Sequence, residues 1–134
     1  MSKEANIDRM NEAIALFDDW VPGYGGEGSP YFYKGSTFVP AISLIEQMRY
    51  HTDWNWLMGV VTKIEKLESG RFRFTIDPWG VQVVDYKEEE ETIVDVSRDD
   101  NQPRIEILYH AVYEFITWYN KQQSNEQRNY NAFH

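Results

Sequence analysis

The stretch that most constrains the fold is Tyr50 to Leu67, YHTDWNWLMGVVTKIEKL. Trp54, Leu57, Val61 and Ile64 recur at helical spacing. Val60 and Leu67 widen that stripe into a face broad enough to bury against a second layer. Thr52 and Asp53 supply the hydroxyl and early negative charge that favour a helix start, and Ser69-Gly70 supplies a stop. Gly59, in the helix interior, implies either a close approach by another helix or a boundary after the first turn.

Other segments take their places around this helix. Ile7, Met10, Ile14 and Phe17 repeat at helical spacing, so residues 3–19 read as a first helix, with Ser2 as its cap and Pro22-Gly23 beyond its end. Residues 21–40 hold five glycines and three prolines among Tyr24, Tyr31, Phe32, Tyr33 and Phe38. That composition predicts an irregular loop with one short extended piece near Tyr31 to Tyr33, either draped over the core or serving as a binding lid. Its GYGGEG run lacks the lysine and the preceding strand of a phosphate loop. Residues 41–49 read as a short helix.

Beyond Gly70 the period falls to two. Phe72, Phe74 and Ile76 alternate with Arg71, Arg73 and Thr75. Asp77-Pro78-Trp79-Gly80 has the residues of a type I turn, and Val81 to Tyr86 returns as the second strand of a hairpin. Lys87 to Glu91 is a charged turn, and Thr92 to Val96 is a third strand. Pro103 opens a last helix over residues 104–123, with Ile105, Leu108, Val112, Phe115 and Tyr119 in its stripe and Ile116 beside it. The polar tail, 124–134, is expected to fray. The expectation is one α+β domain over residues 1–134, in which a three-stranded antiparallel meander packs against two long amphipathic helices, with an N-terminal helix added.

The two motif segments, YHTDWNWLMGVVTKIEKL and Tyr109 to Asn120 (YHAVYEFITWYN), resemble a family of small uncharacterised proteins of Bacteroidota phages and prophages. The likeness covers residues 50–67 and about 105–122, with a weaker likeness of Met10 to Phe17 to that family's opening helix. The family usually carries proline where this chain has Gly59, which in that family implies a helix start near this position. The Gly/aromatic segment 21–40 is particular to this chain. The resemblance implies a phage-type accessory protein and implies no reaction.

Composition restricts the function classes. Twenty-two acidic against thirteen basic residues give a net charge of −9, which repels phosphate backbones and disfavours a nucleic-acid binder. The absence of cysteine excludes disulfides, thiolate metal sites and cysteine nucleophiles. The charged N-terminus is no secretory signal and no run is long enough to cross a bilayer, so the expectation is a cytoplasmic protein.

No catalytic motif is present: there is no GxSxG elbow or HExxH, and the acidic run is not a tuned carboxylate pair. His51, Asp53, His110 and Glu114 would make a metal site only if they met in space. The alternative for them is hydrogen-bonded structural histidines, and neither a metal nor a cofactor is expected.

Aromatic residues, 16% of the chain, are the stronger lead. Tyr50, His51, Trp54, Trp56, Trp118 and Tyr119, with Arg73 (or Arg71 or Arg104) for charge, are candidates to stack and hold a small nucleotide-type ligand. The bland alternative is that these rings are core and subunit interface. The leading functional expectation is a non-enzymatic oligomer that counters a host defence by sequestering such a signal. A second is an acidic protein that blocks a host defence protein, as an inhibitor or a nucleic-acid mimic, through Glu88, Glu89, Glu90, Glu91, Asp95, Asp99 and Asp100. A third is a purely structural assembly protein.

Overall fold

A computed structural model describes residues 3–23, 31–35 and 40–133. In chain order these form helix α1 (Lys3–Phe17), strands β1 (Val21–Pro22), β2 (Tyr31–Gly35) and β3 (Pro40–Leu44), helix α2 (Trp54–Lys66), strands β4 (Phe72–Asp77), β5 (Gly80–Asp85) and β6 (Glu91–Ser97), and helix α3 (Arg104–Phe133). The fold is α+β. β4, β5 and β6 form the antiparallel meander expected from the period-two pattern, with a register shift at Val83/Val84. α3 lies over β5 and β6, α2 over β4, the two helices touch, and α1 packs on α3.

Alternation along the meander explains its buried face. Register places Phe74 opposite Val83 and Ile76 opposite Val81, while Val81 and Val83 oppose Val96 and Val94. Phe72, Val81, Val83 and Val94 are buried, together with Leu57, Val60, Val61 and Ile64 of α2 and Leu108, Val112, Phe115 and Ile116 of α3. Ile76, at the far end of β4, emerges into solvent. Removing these side chains from water on two facing layers is the main stabilising contribution.

Several sequence expectations are corrected. Residues 21–40 are not simply a loop: β1, β2 and β3 form a second antiparallel sheet, in which Tyr33 faces both Val21 and Ile42. Phe32 and Ser43, on the opposite face, are buried, and Phe32 enters the main core. The glycines hid this sheet, because alternation is legible only over strands long enough to show it. Tyr24 and Phe38 lie outside the described residues, as does Ser2. Residues 41–49 do not form a helix either; Ile42 and Leu44 continue β3, and only Ile45–Gln47 makes a single 3-10 turn. α1 stops at Phe17, before the left-handed Asp19. α3 does not end at residue 123 but continues helical to Phe133, so the polar tail is the extension of a helix already nucleated by its buried half.

α2 starts one residue after its cap. Asp53, not Thr52, is that cap, its carboxylate accepting from the amides of Asn55 (2.8 Å) and Trp56 (3.4 Å). The buried stripe begins at Leu57, because Trp54 is 42% exposed and Trp56 is the ring that packs inward. The helix ends through a 3-10 turn at Leu67–Ser69 and left-handed Gly70 (φ 89°), as the Ser69-Gly70 stop implies.

Gly59 neither admits a close helix nor marks a boundary: it is exposed within α2, and a methyl group built on it meets nothing within 4 Å. Gly59→Ala therefore raises stability by about 0.5–1 kcal/mol through the lower entropy of the unfolded chain. A rise in the urea midpoint at unchanged slope is the expected reading, and a fall would show a contact at this position.

Candidate functional site

The aromatic residues singled out from the sequence separate into two groups. In the first, Trp56 stacks on Trp20 (6.4 Å between centroids) and meets the edge of Tyr50 at 5.2 Å. Tyr50 is fully buried; its hydroxyl accepts from Trp20 Nε1 at 2.9 Å and donates to Asp18 Oδ2 at 2.7 Å. Asp18 is in turn paired with Lys34 of β2 (2.8 Å), while Lys63 of α2 pairs with Asp19. Burial, reinforced by the Asp18 carboxylate, raises the Tyr50 pKa well above its ordinary value, so it stays a neutral donor. This group joins the end of α1, the second sheet and α2. Its polar atoms are committed to one another.

The second group surrounds Phe72. Phe115 approaches that ring at 4.8 Å, and Trp118 and Tyr119 each at 5.8 Å. Tyr119 stacks on Phe115 at 5.6 Å and its hydroxyl contacts Glu68 at 3.5 Å. Arg71 lies over Phe72 (4.7 Å) and Trp118 (6.0 Å), and it grips Asp85 through Nε (2.8 Å) and Nη2 (2.9 Å) and Glu68 through Nη1 (2.9 Å). Trp118 and Arg71 border a recess of about 670 Å³ whose other walls include Lys87 and Glu88 to Glu91. Four carboxylates around a guanidinium already committed to two others repel a phosphate. The remaining candidates lie elsewhere: Arg73 is exposed on β4, Trp54 is half exposed on α2, and Asp95, Asp99 and Asp100 are exposed on or just after β6.

His51 leads to a different cavity. Between α1, the turn at residues 50–53 and the first turns of α3 lies a cleft of about 610 Å³, with Ile7, Met10 and Ile105 among its apolar walls and Arg9, His51 and His110 among its polar ones. One buried amide ties these three elements together. Asn11 Oδ1 accepts from the Tyr109 hydroxyl at 2.9 Å. Its Nδ2 lies 3.2 Å from His51 Nδ1 and 3.5 Å from the Met48 carbonyl. With the amide nitrogen on the side of the Met48 carbonyl, Nδ2 donates to His51 Nδ1. The neutral imidazole then carries its proton on Nε2.

Burial lowers the His51 pKa from 6.5, opposed in part by nearby Asp8. Because the folded value lies below the unfolded one, stability from this network declines as pH falls below about 6.5.

Sequence reasoning missed Asn11, Arg9 and Tyr109 as parts of one site. Asn11 did carry a signal, being a polar residue on the apolar side of α1, four residues from Ile7. His51 and His110 do line the same cleft, whereas Asp53 caps α2 and Glu114 is exposed. Among the described residues, no group of three or more His, Asp or Glu side chains is placed to hold a metal ion. Among the same residues, no helix is long and apolar enough to cross a membrane. No family model, curated protein or solved structure matches this chain.

Proposed function

We propose that this protein is a non-enzymatic binding protein that sequesters a small nucleotide-type molecule in the cleft between α1 and α3. The observation that carries this reading is the cleft itself. Its volume of about 610 Å³ falls in the range of roughly 300–1,000 Å³ typical of small-molecule sites. Apolar Ile7, Met10 and Ile105 suit the faces of a planar base. Arg9, His51 and His110 supply cationic or donor groups for a phosphate or a carbonyl, and the positive end of the α3 dipole lies on the same side. Glu106 is the opposing charge and would select against highly charged ligands or pair with a base amino group.

Of the residues expected from the sequence to hold such a ligand, Tyr50, Trp56 and Tyr119 pack against other rings, Trp118 borders the acidic recess, Trp54 and Arg73 are exposed, and His51 is the one that borders this cleft. A role against host defence remains part of the proposal through the resemblance to phage proteins.

Isothermal titration of the full chain with mononucleotides, cyclic dinucleotides and ADP-ribose tests the reading. At least one produces saturable heat, and Arg9→Glu, at an exposed position, weakens that binding about tenfold by removing one charge-assisted contact and placing a like charge beside the phosphate. Absence of heat with every member of the panel overturns the proposal.

A further inference from the structure

The most exposed large apolar side chain described is Trp79, 80% accessible at the tip of the β4–β5 hairpin. A tryptophan in water forgoes a large burial gain, and a solitary one on a loose loop would be unremarkable. The backbone that carries this one is tied down. Asp77 Oδ1 accepts from the amides of Trp79 (2.8 Å) and Gly80 (3.0 Å), and the Trp79 carbonyl accepts from the Arg98 amide at 2.8 Å. Gly80 sits so close to β6 that an added methyl group would lie 2.2 Å from the Val96 carbonyl oxygen. The turn is therefore locked to the neighbouring strand, and Ile76 is a second exposed apolar side chain, near the end of β4.

The surroundings specify the partner. Asp95 lies opposite Gln82, Gly80 opposite Ser97, and Asp99 and Asp100 follow Arg98 just beyond β6, all three carboxylates being exposed. Two cations lie near. The Arg98 guanidinium is engaged by the carbonyls of Gln102 (2.8 Å) and Pro78 (3.4 Å), and Arg104 borders the same corner as Asp77 and Gly80. The acidic groups outnumber them on a chain of net charge −9. A nucleic acid, or the same corner of a second copy of this chain, would be repelled at this surface.

We infer that the Trp79 hairpin is a docking tip that inserts into an apolar pocket on a positively charged protein, with Asp95, Asp99 and Asp100 meeting the basic rim of that pocket. Pre-ordering of the turn lowers the entropic cost of inserting the ring, and the carboxylates steer the encounter. Trp79, Asp95, Asp99 and Asp100 do not line the α1–α3 cleft, so each assignment has its own test.

The test uses the full chain carrying a photo-crosslinking phenylalanine analogue at position 79, irradiated in soluble lysates of a panel of bacteria. Trapped proteins are identified by mass, purified and titrated against the unmodified chain. The expected result is a basic protein whose affinity falls at least about 30-fold with Trp79→Ala and declines steeply with salt. Circular dichroism of Trp79→Ala is expected to match that of the parent chain, because the removed ring makes little contact with the fold. The inference is overturned if no trapped protein depends on Trp79, or if the dependent partner is acidic or is another copy of this chain.

Discussion

Replacing Arg71 with methionine destabilises the fold by about 3–5 kcal/mol. Its guanidinium and the Asp85 carboxylate, with side chains only 13% and 10% accessible, form a two-pronged pair beneath the acidic turn. Methionine retains the contact with Phe72 and Trp118 but leaves Asp85 with the Lys87 amide as its remaining described donor. A carboxylate stranded at that depth is the expensive state, not the loss of the pair as such. The double variant Arg71→Met/Asp85→Leu accordingly recovers most of the loss. Urea unfolding of both variants checks this, and a single-variant cost below about 1 kcal/mol would sink it.

The same pair gives a pH signature. Hydrogen bonding from Arg71, opposed by burial, holds Asp85 below its ordinary value of 3.8. A folded pKa below the unfolded one stabilises the protein above about pH 4, and that contribution is lost as pH falls through the folded value. Asp85→Asn should flatten the stability curve across this window.

Truncating Phe72 to alanine removes the ring on which β4 and α3 converge. It is fully buried against Phe115, Trp118 and Tyr119, and a cavity at such a site costs about 3–5 kcal/mol. The drop in thermal midpoint is accompanied by loss of near-ultraviolet dichroism from the Trp118 environment. Because the Arg71 guanidinium lies 4.7 Å over the same ring, Phe72→Ala combined with Arg71→Ala costs less than the sum of the two single changes. Strict additivity would show that the ring and the guanidinium act independently.

Local rules account for much of this chain. Helical spacing placed α1, α2 and α3 because each presents an apolar stripe long enough to repeat. Alternation placed β4 to β6, and Asp77-Pro78-Trp79-Gly80 carried its own turn chemistry. The second sheet escaped because its strands are at most five residues long and lie among glycines and prolines, where pairing and not propensity defines them.

The site escaped for a related reason. Composition advertised tryptophans, but whether a ring is a platform or a filler depends on what packs beside it, and Trp20, Phe72 and Phe115 take those positions. His51, Asn11 and Tyr109 are separated by up to 98 residues and become one network only when α1 and α3 pack together. The sequence by itself determined the helices, the meander and the acidic surface, all set by near-neighbour spacing and charge. The cleft, the ion-pair geometry and the exposure of Trp79 were decided by tertiary structure, because each depends on contacts between residues distant along the chain.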